Sequence, residues 1–394
     1  MEKLLLIGID TRSMLNSALK LDYDIYSASY FSTSDTPQIK NQKIILKESE
    51  DESCGVFEEE FNSKTIIDMS QDYIDEVDYI IPISGVSPSD FSKKDQKKIL
   101  GNTDVTNVEN KFEFYKKIKD EFLTPMTFHI TDIDEAFEIN ENYTDTQFIL
   151  KPLQGNGGYN VNLLNNDTNI ELNNIEFIMQ EHISGINLSS SVLAKRNWTK
   201  TITNSRLLTM NDFEKKNDFR YVGNILPLTS ESIMSKIKNI NHITEEMKTT
   251  SQNLVEKFNL TGSNGVDYIL NENGLYVIEI NPRIQGTFEC VEKSFGINML
   301  DAHIRTCIGE NFEMPKAKYY SFKKIIYSPT RMKYADLNLD NIYDLPHIGS
   351  ITEKDEPLLT IIDKDTDFKK LFKKVEITSE IVNKLSIRYQ LDKE

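Results

Sequence analysis

A chain of 394 residues is too long for one simple core and divides into two to four domains, at roughly 100–150 residues for each. Its 39% hydrophobic and 27% charged residues are those of a globular protein and exclude a disordered or fibrous one. A formal charge of −17 speaks against a general nucleic-acid or anionic-membrane surface, so any phosphate site has to be local.

The three cysteines, Cys54, Cys290 and Cys307, show no paired or CxxC spacing. They read as packing residues in a reducing compartment, and a cytoplasmic location is expected. Met1-Glu2-Lys3 is followed by the apolar run Leu4 to Ile9, too short for a signal sequence or a membrane span.

In chain order, Leu4 to Gly8 reads as a buried parallel strand and Thr11 to Leu19 as the helix after it, together a βα unit. Strands at Asp24 to Ala28, Lys43 to Leu46 and Tyr79 to Ile83, with a helix near Ser70 to Glu76, continue an open α/β sheet. Lys111 to Ile118 has the spacing of an amphipathic helix, and Thr124-Pro125 separates it from a strand at Met126 to Ile130. Phe148 to Pro152 and Tyr159 to Leu164 are predicted as a hairpin with a glycine-rich tip, Gly155-Asn156-Gly157-Gly158. Further strands are expected at Glu176 to Gln180, Val192 to Ala194 and Thr199 to Thr203, then a long helix at Ile243 to Phe258. Gly265 to Leu270 and Leu275 to Asn281 flank the turn Asn271-Glu272-Asn273-Gly274, and Phe288 to Phe295 is a helix that Thr287 can cap. The tail from Lys316 has short strands and turn signals.

Three pieces carry chemistry. Asp267 and Glu279 lie equally far from the turn at Asn273, so cross-strand pairing puts both carboxylates on one face, with Asn281 two residues along. Two carboxylates and an amide oxygen are hard ligands suited to Mg²⁺, although an exposed polar hairpin face would read the same way. Lys151 precedes Gly155, Gly157 and Gly158, where backbone N–H groups can approach a phosphate; a plain turn also uses such glycines, and no Walker A sequence follows. Arg283, just after the candidate metal strand, suits a substrate carboxylate, a transferring phosphoryl group or a surface ion pair.

Taken together, Asn110-Lys111, FILKPLQGNGGYNV, IMQEHISG, GVDYIL and YVIEINPRIQGTFE resemble, in this order, the ATP-grasp superfamily over about residues 109 to 311. The N-terminal Gly8 to Ser13, Tyr30-Phe31 and Asp344 to Ser350 are similar to uncharacterised archaeal carboligase-related members and, less closely, to tyramine–glutamate ligases. The resemblance implies an α/β protein with α+β lobes. A pre-ATP-grasp open α/β domain (1–108) would precede a small lobe (109–183), a large lobe with the metal site (184–312) and a small C-terminal β-rich subdomain (313–394).

Carried over by position, the resemblance makes Lys111 and Lys151 the lysines on the α- and β-phosphates of ATP, with Gly155, Gly157 and Gly158 closing over the triphosphate. The Glu181 carbonyl, the Ile183 N–H and the Gln180 side chain would read adenine, and Asn187 stands where many members carry a ribose-binding glutamate. Asp267, Glu279 and Asn281 would hold Mg²⁺, with Mn²⁺ as an alternative, while Arg283 and Lys151 would act on the reacting groups. The implied reaction joins a small-molecule carboxylate to an amine or thiol through an acylphosphate. Other branches are a bicarbonate-activating carboxylase, against which Thr287 stands where a glutamate would lie although Glu289 is near, and a non-catalytic ATP-binding regulator. Asp10, Arg12 and Ser84-Gly85 fall at strand ends where substrate can bind, though Asp10 equally suits helix capping; the five histidines receive no role. The oligomeric state stays open, a homodimer included.

Overall fold

The computed structural model describes residues 1–45, 62–155, 157–165, 176–213, 217–235, 237 and 239–391. Leu46, Cys54 and Asn156, singled out above, lie outside them.

Residues Lys3–Gly8 (β1), Arg12–Ala18 (α1), Asp24–Ser29 (β2), Asn41–Ile44 (β3), Ser63–Met69 (α2), Gln71–Glu76 (α3) and Tyr79–Pro82 (β4) form the first α/β unit. Its parallel sheet has the order β3-β2-β1-β4. Leu4 to Ile7 are fully buried on both faces, which is why β1 reads as an unbroken apolar run. Helix α2 was not evident in the sequence; Asn62 starts it by accepting from the Lys64 N–H.

Thr106–Glu109 (α4) and Lys111–Ile118 (α5) lead into Thr127–Ile130 (β5), Ile133–Glu141 (α6), Phe148–Pro152 (β6), Asn162–Leu163 (β7) and Phe177–Glu181 (β8). These strands make a small sheet of order β5-β8-β6-β7. Ile186–Lys195 (β9), Trp198–Thr209 (β10), Tyr221–Leu226 (β11), Ile240–Lys257 (α7), Gly262–Asn271 (β12), Gly274–Asn281 (β13), Phe288–Phe295 (α8) and Met299–Cys307 (α9) follow. The tail contributes Tyr320–Tyr327 (β14), Met332–Lys333 (β15), Ile342–Tyr343 (β16), Ile351–Thr352 (β17), Pro357–Asp365 (β18) and Phe368–Arg388 (α10).

The tail is not a detached sheet. Strands β14, β18 and β16 extend one eight-stranded sheet of order β13-β12-β9-β10-β11-β14-β18-β16, so the C-terminal strands share a backbone ladder with β12 and β13. Helix α10, which sequence reading did not anticipate, covers this end with Leu371, Val375 and Val382 in the core that also holds Phe322 and Ile361.

His303 of α9 ties the first unit to the large sheet. Its Nδ1 accepts from the Ser263 N–H at 2.9 Å and its Nε2 donates to the Leu100 carbonyl at 3.0 Å, an arrangement that needs the neutral ring. Gly262 lies against it with φ +72°, and a Cβ there would sit 2.6 Å from His303 Cε1. Burial lowers the His303 pKa from 6.5 to about 4. Its neutral-state stabilisation is therefore complete above pH 6.5 and is lost as pH falls toward 4. The stability gap between wild type and His303→Gln, from denaturant titration, is expected to shrink by on the order of 2 kcal/mol between pH 7.5 and 4.5. A pH-independent gap would remove this role.

Candidate functional site

The hairpin of β12 and β13 brings its two carboxylates face to face through a detail the sequence did not disclose. Asn271 pairs with Gly274, so uninterrupted pairing would set Asp267 opposite Ile278 and turn Glu279 to the other face. A register shift between Asp267 and Tyr268 absorbs one residue, and Asp267 pairs with Glu279. Gly265 pairs with Asn281, which places the amide on the same face.

Asp267 accepts from Ser189 Oγ at 2.6 Å and from Asn281 Nδ2 at 2.9 Å, and Arg283 Nη2 donates to Asn281 Oδ1 at 2.9 Å. Burial and the neighbouring Glu279 charge push Asp267 up to about 7. Burial also acts upward on Glu279, but Lys111, Lys151 and Arg283 outweigh it and hold Glu279 below its usual range. Among the described residues no group of three His, Cys, Asp or Glu side chains comes together. A cation here would therefore have two carboxylates and the Asn281 amide oxygen, an all-oxygen set that fits Mg²⁺ once nonprotein oxygens complete it. To join that set Asn281 has to turn its amide, because its nitrogen now faces Asp267.

The small sheet supplies the opposing cations. Asn110 caps α5 by accepting from the Phe112 and Glu113 N–H groups, which sets Lys111 at the first helical position. Lys111 Nζ donates to the Gly155 carbonyl at 3.0 Å and lies 3.9 Å from Glu279. Lys151 is 6% exposed and makes no hydrogen bond or ion pair with the described residues. Burial, partly offset by the charge of Glu279, lowers its pKa to about 8. Lys151 pairs with Ile178 and Ile149 with Gln180, so Lys151 and Gln180 share one face of the small sheet. Gln180 Nε2 donates to Thr127 Oγ1 at 2.8 Å, leaving Oε1 as its remaining acceptor. Glu181 follows; its carboxylate accepts from the Met126 N–H at 3.1 Å. Ile183 is buried at the crossing between the sheets. Asn187 lies on β9 two residues before Ser189, on the face that carries Asp267.

The glycine segment is seated on the large sheet. Gly157 and Gly158 have φ of +68° and +75°, and the Gly157 carbonyl accepts from the Tyr221 N–H at 2.9 Å. A Cβ on Gly158 would lie 2.1 Å from the Phe219 carbonyl oxygen, so the seat requires glycine. Gly155 is less constrained: a Cβ there would meet only Pro152, at 3.6 Å.

Several neighbours escaped sequence reading. Gln285 lies directly over Gly265, where a Cβ would fall 1.9 Å from Gln285 Cδ, and its Oε1 accepts from Ser191 Oγ at 3.0 Å. Asn102 donates to the Pro282 carbonyl at 2.9 Å and to Asn264 Oδ1 at 2.8 Å, fixing the exit of the metal-candidate strand. Glu109, held up by burial against the charges of Arg283 and Lys111, accepts from Ser87 Oγ at 3.5 Å. Gln285, two residues past Arg283 within the same motif, and Glu109, beside Asn110-Lys111, had sequence proximity to mark them; Asn102 did not. Thr287 stands at the start of α8 but makes no side-chain cap; its Oγ1 meets Ser191 Oγ at 3.0 Å instead. Asp10 Oδ1 accepts from the Arg12 N–H at 2.9 Å from one position ahead of Thr11, which occupies the cap of α1 without a side-chain cap bond. Glu289 is engaged by Arg12 at 2.6 and 3.1 Å and faces Lys323 at 3.6 Å.

Residues 108–287 match the ATP-grasp domain family. An uncharacterized protein of Methanocaldococcus jannaschii is 28% identical over 370 residues, covering 92% of this chain and 88% of that protein. The tyramine–L-glutamate ligase of the same organism is 28% identical over 180 residues, 45% of this chain and 44% of the ligase. Carboxyaminoimidazole ribonucleotide synthase of Aspergillus clavatus, solved complexed with ATP, shares the fold with a TM-score of 0.74 at 12% identity, over 97% of this chain and 99% of that one.

Proposed function

The chain carries an ATP-grasp domain of mixed α/β fold, and from that premise we propose that it is a MgATP-dependent ligase joining a carboxylate to an amine or thiol through an acylphosphate. The observation that carries this reading is Lys151: a residue 6% exposed, without a protein partner among the described residues, and under the charge of Glu279 across the cleft. A buried unpaired charge is unfavourable, and a phosphate oxygen supplies the missing acceptor.

Lys111 and Lys151 hold the α- and β-phosphates, and the Gly157–Gly158 segment shuts water from them. Gln180, Glu181 and Ile183 receive adenine at the crossing between sheets, with Asn187 toward the ribose. Asp267, Glu279 and Asn281 hold Mg²⁺, which when bound offsets charge on the transferring phosphoryl group. Arg283 lies beside that set and steadies the acceptor carboxylate as it attacks the γ-phosphorus. One carboxylate oxygen gains the phosphoryl group as ADP leaves. The amine then adds to the acyl carbon, and phosphate departs with the electron pair of the acyl–oxygen bond.

Glu289, committed to Arg12 and Lys323, is poorly placed to serve as a base for bicarbonate, which favours the ligase over the carboxylase. Stimulation of ADP release by amines together with a carboxylic acid is expected. Stimulation by bicarbonate alone would replace the ligase by the carboxylase, and MgATP binding with no stimulated release would favour the regulator.

Lys151→Met is expected to weaken MgADP binding about tenfold or more by calorimetry, the scale of one lost charge-assisted contact. Without nucleotide it should melt no lower than wild type, because an unpartnered buried ammonium has been replaced by an apolar chain. Unchanged affinity would contradict the assignment.

A further inference from the structure

The seat of the glycine segment and the carboxylate of Asp267 are joined by an unbroken line of hydrogen bonds across the large sheet. The Tyr221 N–H donates to the Gly157 carbonyl at 2.9 Å. The Tyr221 phenol donates to Asn224 Oδ1, and Asn224 Nδ2 donates to Ser205 Oγ at 3.5 Å. Ser205 Oγ donates to the Ser189 carbonyl at 3.3 Å, and Ser189 Oγ donates to Asp267 Oδ1 at 2.6 Å. The line crosses β11, β10, β9 and β12, which are neighbours in that order.

Three further observations fix Tyr221 at the head of this line. Its carbonyl accepts from Tyr327 Oη at 2.9 Å, so both its backbone groups are engaged. Gly223, where a Cβ would lie 1.8 Å from the Lys323 carbonyl oxygen, lets β11 run close against β14, and the register shift that leaves Val222 unpaired between Tyr221 and Gly223 brings Tyr221 and Asn224 to one face. The Tyr221 phenol reaches the turn before α8: a Cβ on Gly286 would lie 3.3 Å from its oxygen. Tyr221 therefore touches the glycine segment with its backbone and the acceptor side of the cleft with its side chain.

We infer that Tyr221, Asn224 and Ser205 are positioning residues that couple seating of the glycine segment over nucleotide to the placement of Asp267. This rests on the MgATP reading above and adds a function to residues that touch neither phosphate nor metal. Closure and assembly of the carboxylate pair then occur together, so the acceptor meets an activated phosphate only when water is excluded. A polar acceptor that bonds the Tyr221 phenol would reinforce closure.

The test uses the full chain with MgADP. Hydrogen exchange is followed over residues 157–165 and at the Tyr221 amide, with calorimetry of MgADP binding in parallel. In wild type, adding Mg²⁺ to the ADP-bound protein should slow exchange of the segment about tenfold, roughly 1.4 kcal/mol. Tyr221→Phe, Asn224→Ala and Ser205→Ala should each bind MgADP yet lose most of that increment, and Tyr221→Phe combined with Asn224→Ala should lose no more than either alone. Ser205→Ala is the mildest change and keeps the test alive if Asn224→Ala folds poorly. A wild-type Mg²⁺ increment in the three single variants, or additive losses in the pair, overturns the coupling. If wild type fails to bind MgADP, the nucleotide reading is what has failed. The link is then judged without nucleotide: a Tyr221 amide that exchanges about tenfold faster in Asn224→Ala supports it, and an unchanged rate overturns it.

Discussion

Glu279→Gln is expected to lower substrate-stimulated ATP turnover about 10³-fold while the protein stays folded, the scale seen when one preorganised electrostatic group is lost from a reacting site. The exchange is nearly isosteric, so the consequence is electrical. Glu279 sits opposite Asp267 in the β12–β13 ladder and is the charge that partly holds up the Lys151 pKa. Without it the cation seat keeps one carboxylate, and Lys151 moves further down and gives up its charge more readily. Asp267, relieved of the neighbouring charge that helps push it up to about 7, moves back toward the ordinary carboxylate range. Lys111, Lys151 and Arg283 hold Glu279 below its usual range, so its charge stabilises the nucleotide-free fold at neutral pH, and the variant should melt modestly lower while remaining folded. Loss of activity far out of proportion to that small loss of thermal stability is the expected pair of measurements. Near-normal turnover would take Glu279 out of the chemistry, and a collapse of the melting temperature would make it a structural residue.

What the sequence disclosed was local. The Asp267–Glu279 pairing, the helix from Lys111 and the hairpin around Gly155 to Gly158 each depend on spacing within a few residues, and the structure contains all three. Even there, the pairing arises from a one-residue shift at Tyr268 rather than from symmetry about Asn273. The sequence hid what depends on distant partners. Tyr221 begins a six-residue strand and gains its place from Gly157 and Tyr327, both distant in the chain, and from Asn224, which the two-residue alternation of a regular strand would set on the opposite face. Lys151 could be read as a phosphate lysine from its resemblance, whereas its lack of a partner is visible only once the chain is folded. Helix α10 has an ordinary amphipathic sequence, but the short strands before it suggested a β-rich tail, and its role in covering Phe322 and Ile361 is tertiary. The tail's longer strands, β14 and β18, join the central sheet through β11, a pairing that no local pattern announces.

Arg12→Met is expected to destabilise the whole protein by about 3–5 kcal/mol, since removing one partner of a buried ion cluster leaves the others uncompensated. Arg12 is 1% exposed and lies 2.6 Å from Glu289, 2.6 Å from Asp344 and 3.7 Å from Asp35. Those partners come from α8, the C-terminal segment and the loop after β2, so one guanidinium joins three parts of the chain. Asp35 reinforces the junction by accepting from the Asp344 and Leu345 N–H groups at 3.1 and 2.9 Å. A lysine could not replace the forked donors, and Arg12→Lys should recover only part of the loss. The pH dependence gives the decisive sign. Burial acts upward on Asp344, but Arg12 and Lys323 hold it below its ordinary value, so its stabilising contribution is present above the usual carboxylate pKa and is lost as pH falls through the folded value. Removing Arg12 reverses that shift, and the crowded carboxylates of Asp344 and Asp10, both of which the Arg12 charge lowers, then take up protons at higher pH. The variant's deficit should therefore be largest at pH 8 and narrow as pH falls to 5, measured as the difference in melting temperature from wild type. A deficit that does not change with pH would mean that stacking of the guanidinium on Tyr343, whose ring centroid lies 5.3 Å from the guanidinium carbon, matters more than its ion pairs.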